Sequence, residues 1–184
     1  MNLDEVKAEY AKDGRVSGET LARLRDYLRT SPDPYDAITA AGDGAAFMLV
    51  PDLVGFLDHD DPMVRWNAAS VLFNRFRVLE LAQRCLKMVE EEEDEIARGA
   101  AITGLGEILP LVENLGLRSR MATALLSILE NTNELTVMRG DAHAGMEIAL
   151  NIPRNERVPA SRLIDLERDV KPEVVAAFRK KFKV

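Results

Sequence analysis

At 184 residues, with 47% hydrophobic and 5% aromatic content, the chain holds enough apolar material for a continuous core and too few aromatics for a β-sandwich. Its net charge of −7 argues against a nucleic-acid groove, which requires clustered cations, and its single cysteine, Cys85, excludes an internal disulfide framework and thiolate zinc sites. No apolar run approaches about 18 residues, and the start Met1-Asn2-Leu3-Asp4-Glu5 is acidic without an apolar signal core, so a cytoplasmic protein is expected.

Residues 1–16 are polar and are expected to be only partly ordered. Ser17-Gly18-Glu19-Thr20 resembles a capping box with Thr20 in the reciprocal position, and Leu21, Leu24 and Leu28 follow at helical spacing until Ser31-Pro32-Asp33-Pro34. A shorter helix, Tyr35 to Ala41, ends at Gly42-Asp43-Gly44 and completes a capping hairpin. Next comes a helix over 45–58, a turn His59-Asp60-Asp61, and a second helix from Pro62 to Arg75 with Val64, Ala68, Val71 and Leu72 on one stripe. The third hairpin pairs 78–90 with 94–109 across the acidic run Glu90 to Glu95, and the fourth pairs 116–130 with 134–150. After Pro153 two short helices are expected, 160–168 and 172–182, with Asp169 near the N-cap of the last. No stretch alternates as a strand would, and the fold class is all-α.

Three hairpins share one signature: Arg65-x-x-Ala68-x-x-x-Leu72, Arg98-x-x-Ala101-x-x-x-Leu105 and Arg139-x-x-Ala142-x-x-x-Met146. The arginines stand 33 and 41 residues apart, the period of stacked helical repeats. The stretch Val50-Pro51-Asp52-Leu53, Leu57 to Arg65, Ala68-Ala69 and Leu72, preceded by Ala40-Ala41-Gly42-Asp43, resembles the HEAT repeat, in particular the phycobilisome-lyase HEAT-like subtype. The likeness is tight over 40–72 and looser over 94–106 and 134–147. It implies an α-solenoid of four to five antiparallel helix pairs in a single domain, with 1–44 and 153–184 as caps around core repeats 45–152. The inner helices would line a concave, mostly protein-binding surface.

The candidate site residues fall on those inner helices. In HEAT-like repeats an Asp in the turn and an early Arg form a ladder, which would pair Arg65 with Asp60 or Asp61, Arg98 with Glu92 or Glu93, and leave Asn133 or Glu134 near Arg139; a ligand-binding arginine row is the alternative. Trp66, Ser70, Phe73 and Arg77 form a second stripe whose matched positions one repeat on are Gly99, Thr103 and Gly106. Trp66 and Phe73 are therefore expected either to pack into that neighbouring hairpin or, for Trp66, to anchor a partner. Trp66, Asn67, Ser70, Asn74, Asp141 and His143, with Arg98 and Arg139 as companions, form the expected partner-binding set. His143 and Glu147 lie one turn apart without a His-Glu-x-x-His pattern, and His59-Asp60-Asp61 has no second histidine, so neither is expected to hold a metal. Cys85 reads as a small buried hydrophobe among Leu81, Ala82, Leu86 and Val89.

Residues 154–184 carry nine Lys/Arg against five Asp/Glu, while the preceding residues carry 15 against 26. An acidic body of this kind suits a basic protein partner. Nucleophile triads and phosphate loops are absent, so the expectation is a non-catalytic interaction module without cofactor, nucleic acid or membrane. Two narrower expectations stand beside it: a small acidic immunity-type inhibitor of a basic toxin, and an accessory of chromophore attachment similar to bilin lyases.

Overall fold

A computed structural model describes residues 2–158 and 165–184; these are helical or irregular, with no strand among them. The chain divides into two compact units between Phe76 and Arg77, inside the stretch expected to carry the core repeats.

The first unit opens on α1 (Asp4–Asp13), where partial order was expected. Only Val6 of this helix is buried, so its apolar periodicity is too sparse to read from sequence. Gly14, at φ 66°, ends the helix in the left-handed conformation that glycine adopts without strain. Helix α2 (Gly18–Thr30) begins where the Ser17 hydroxyl accepts the Thr20 N–H at 3.2 Å, and α3 (Tyr35–Asp43) packs against both α1 and α2. Gly44 closes α3 for reasons of space: a Cβ there would sit 2.7 Å from the Val6 side chain.

The segment expected to be one helix over 45–58 is instead three short pieces, a 3-10 turn Phe47–Leu49, α4 (Val50–Leu53) and a second 3-10 turn Val54–Asp58. Pro51 accounts for the break, because its ring lacks an N–H and would collide with the carbonyl of Phe47 in a continuous helix; in the first turn of α4 it is tolerated. Asp52 ties this segment to α2, accepting from Arg25 at 2.9 Å and Arg29 at 2.7 Å. Burial opposes its charge, but the two guanidiniums outweigh it and hold the carboxyl below its usual range. Helix α5 (Pro62–Ala69) starts on Asp61, whose carboxylate accepts the Met63 N–H at 2.8 Å, and widens into a π turn over Ser70–Arg75. Phe76 N–H accordingly reaches five residues back to the Val71 carbonyl.

The second unit pairs α6 (Ala82–Glu91) with α7 (Glu95–Ile108), and α8 (Leu115–Glu130) with α9 (Thr136–Ala149). The last three follow the expected 94–109, 116–130 and 134–150 closely, whereas α6 starts four residues later than the expected 78–90, after a 3-10 turn Leu79–Leu81. The two hairpins lie side by side, α7 on α9 and α6 on α8. Small residues set the α7–α9 spacing: a Cβ on Gly106 would lie 2.6 Å from the Gly145 Cα and closer still to its carbonyl oxygen. Cys85 is fully buried, as expected, and donates to the Ala101 carbonyl at 3.3 Å.

Beyond α9, the expected helix 160–168 falls partly outside the described residues; α10 spans Leu166–Asp169. Asp169 does not cap the last helix. It is buried, held by Arg168 and by the Asp165 N–H, and α11 (Pro172–Phe182) begins on Lys171 with proline in its first turn. Val174 and Phe178 of α11 are buried, and the Phe182 ring lies tilted by 47° against that of Phe178, with centroids 4.7 Å apart. Arg179 pairs with Glu130 of α8, and the Lys181 ammonium donates to the Ala149 carbonyl at the end of α9.

Candidate partner-binding site

The repeated arginines share one structural task. Each sits in the first turn of its hairpin's second helix and reaches back to carbonyls at or just past the end of the first. Arg65 Nη1 donates to the His59 and Asp60 carbonyls at 2.8 and 3.0 Å, Arg98 Nε to Val89 at 2.9 Å, and Arg139 Nε to Leu129 at 2.8 Å. Cationic donors at these C-terminal carbonyls match the negative end of the helix dipole. The acceptor expected for Arg98 was Glu92 or Glu93; the carboxylate it grips is Glu134 of the next hairpin, bidentate at 3.0 Å on both oxygens. Hydrogen bonding to Arg98 holds the Glu134 carboxyl below its usual range. Arg98 and Arg139 are half-buried and point their donors inward.

In the first unit, Asn67 is 5% exposed, and its amide donates to the Tyr35 carbonyl at 2.7 Å and the Thr39 hydroxyl at 2.8 Å, locking α5 to α3. Trp66 is half-buried and stacks on Tyr35, ring centroids 6.1 Å apart and 14° from parallel. Ser70 and Asn74 are half-buried in the π turn, and Phe73 is fully buried. The pairing of Trp66 and Phe73 with Gly99 and Gly106 requires correction. Those glycines admit α9: the Asp141 carboxylate occupies the space over Gly99, with Oδ2 2.6 Å from where a Cβ would stand, and the Gly145 backbone lies against Gly106. The glycines serve close helix contact within the second unit.

Helix α9 carries two contrasting acids. Glu147 is fully buried and accepts from the Lys171 ammonium at 3.3 Å and the Val158 N–H at 3.1 Å. One turn earlier His143, 2% exposed, accepts the Lys171 backbone N–H at Nε2, 3.2 Å away, which requires that nitrogen unprotonated. Desolvation lowers its pKa, against the pull of Glu147. His143 is therefore turned inward, fastening the C-terminal segment to α9.

Asp141 has no such partner. Half-buried between α7 and α9, it makes no hydrogen bond or ion pair among the described residues, and burial raises its pKa from 3.8 to about 6. Val137 precedes it by four residues on the same face of α9 and is 52% exposed. Ile96 in the first turn of α7 and Leu135 just before α9 are 54% and 45% exposed. The second unit thus presents, at the N-terminal ends of two adjacent helices, three exposed apolar side chains around the Arg98–Glu134 pair, with an unpaired carboxylate one turn inside.

These apolar residues escaped the sequence reading, although a signal was present. Met63, Ile96 and Val137 each stand two residues before a repeat arginine and keep its spacings of 33 and 41 residues; Met63 is also exposed, at 40%. Apolar residues at helix starts are easily credited to the core. No helix among the described residues is long and apolar enough to cross a membrane. Comparison with protein-family models, curated proteins and solved structures returns no match to this chain.

Proposed function

We propose that the chain is a HEAT-like helical-repeat protein that acts without catalysis, binding a protein partner on its repeat helices. The repeat signature and the side-by-side packing of hairpins within the second unit support the solenoid reading. The observation that carries the binding reading is the rim of Ile96 and Val137, at matched repeat positions, with Leu135 beside them: large apolar side chains left about half in solvent, where covering the exposed half against a partner would be favourable by roughly 1 kcal/mol each. Of the residues expected to contact a partner, Asp141, Trp66, Ser70 and Asn74 retain accessible surface, whereas Asn67 and His143 are turned to internal bonds.

The test is affinity capture with wild-type protein and with Ile96→Ser/Val137→Ser. A stoichiometric protein retained by the wild type and released by the variant, at unchanged melting temperature, supports the reading. Equal capture by both removes this rim from it.

A further inference from the structure

Resting on that reading, we infer that the rim of α7 and α9 receives a basic amphipathic segment of its partner, with a lysine or arginine seated on Asp141 and apolar side chains on Ile96, Leu135 and Val137. Four observations choose this occupant. First, Asp141 is a partly desolvated carboxylate without a cation or donor among the described residues, an arrangement that disfavours its own charge until a cation arrives. Second, the cation that could have answered it from α7, Arg98, is fixed in its bidentate pair with Glu134 and in the bond to Val89.

Third, the turn leading into α7 is strongly negative. Glu90, Glu91, Glu93 and Glu95 are exposed, and Glu93 and Glu95 have no cation partner among the described residues. This field draws in a positively charged segment and orients it before contact. Fourth, the residues outside 154–184 carry 15 Lys/Arg against 26 Asp/Glu, so the rim sits in the acidic part of the chain. A second copy meeting this face with its own would bring the same negative rim, the apolar side chains Val174 and Phe178 of its basic α11 are already buried, and an anionic membrane surface would be repelled. The occupant is a basic protein segment with apolar residues at helical spacing, the form in which a short chain lays one face on a groove.

The geometry divides the work. Ile96, Leu135 and Val137 give contact area that is indifferent to charge, while Asp141 distinguishes a basic segment from an acidic one of equal hydrophobicity. An ion pair completed at a partly dry site is worth more than one in open solvent.

The probes are two synthetic helical peptides with identical leucine faces, one with lysines on the polar face and one with glutamates. Binding is followed by fluorescence anisotropy and by amide shifts of the ¹⁵N-labelled full chain. The lysine peptide is expected to shift the amides around Ile96, Val137 and Asp141 and to bind at least about tenfold more tightly than the glutamate peptide. Asp141→Asn, which keeps the shape and removes the charge, should weaken the lysine peptide on the order of tenfold and leave the glutamate peptide bound no more weakly than before. Equal affinity of both peptides, an Asp141→Asn variant that binds the lysine peptide like wild type, or shifts elsewhere on the chain would overturn the basic-segment assignment. If both peptides bind at the rim and Ile96→Ser/Val137→Ser abolishes both, the apolar docking reading survives while the charge assignment fails. If neither peptide perturbs the rim, the assignment is likewise overturned, and the capture experiment decides the binding reading independently.

Discussion

Asn67 in α5 and Asp141 in α9 occupy the same place in their repeats, two residues after Arg65 and Arg139, and the two units use that place in opposite ways. The amide of Asn67 has donors to offer and spans to α3, bonding the Tyr35 carbonyl and the Thr39 hydroxyl. The carboxylate of Asp141 meets Gly99 of α7 and, when ionised, has nothing to donate. A repeat position that serves cohesion in the first unit is left unanswered in the second. Residues that are out of balance within an otherwise consistent fold are where function is to be sought.

The largest effect should come from the contact that draws α7 and α9 together. Gly106→Ala places a methyl against the Gly145 backbone, which cannot swing aside, and is expected to lower stability by more than about 3 kcal/mol in denaturant melts. The counterpart in the first unit, Gly42→Ala, meets only side-chain atoms: the Arg75 guanidinium at 3.2 Å can move aside and the buried Val71 methyl at 2.8 Å must shift slightly, so it should cost less, about 1–2 kcal/mol. Similar losses for the two would mean that α7 and α9 can slide apart.

Asn67→Asp would give the first unit the chemistry of the second. The new carboxylate would face the Tyr35 carbonyl with no proton to share, at a cost of about 3 kcal/mol near neutral pH, and the loss should shrink on acidification as the carboxyl regains a donor. Asp141→Asn is the reverse exchange. The Asp141 carboxyl holds its proton up to about pH 6 in the folded chain, against 3.8 ordinarily, so its contribution is complete below pH 3.8 and lost as pH rises through 6. The variant should therefore be more stable than wild type at pH 7.5, by about 1 kcal/mol once the solvent-facing side is allowed for, and nearly level with it at pH 4. Thermal melts at the two pH values check both sign and size.

His143 should show the smallest change and the opposite sign. Its folded pKa lies below 6.5, so its contribution is complete above pH 6.5 and declines as pH falls beneath that value. The groups facing it are Glu147 on α9 and Asp169, Lys171 and Glu173 at the start of the C-terminal segment. His143→Gln keeps an acceptor for the Lys171 N–H and should flatten this acid limb by a degree or two of melting temperature, roughly. Faster exchange of the Lys171 amide at pH 5 in wild type, but not in the variant, is the direct readout.

Periodicity places α7, α8 and α9 of the second unit to within one or two residues, because their apolar stripes are continuous and the turns before α7 and α8 carry Asp94 and Asn114 as caps. It misses α1, whose helix buries a single valine, and it runs straight through Pro51 and the π turn, where one residue decides the geometry. The arginine repeat was legible as a motif, but not the carbonyls it serves, since these lie in backbone that only the folded hairpin brings near. Asp141 could be picked out as a polar residue on an inner helix. Its isolation depends on Arg98 closing on Glu134 instead, a choice between two acids that linear order does not rank.

The π turn at Ser70–Arg75 has a consequence for how the first unit tolerates changes of length. A wide turn of this kind accommodates one residue more than an ordinary helix needs, so excising one of the six would restore regular winding while leaving α5 intact. Straightening the same turn without removing a residue would instead rotate the segment just beyond it, Phe76 included, by about 100°. Phe76 would swing off Phe47, whose ring centroid now lies 4.3 Å from its own, and the aromatic clasp joining the two ends of this hairpin would open.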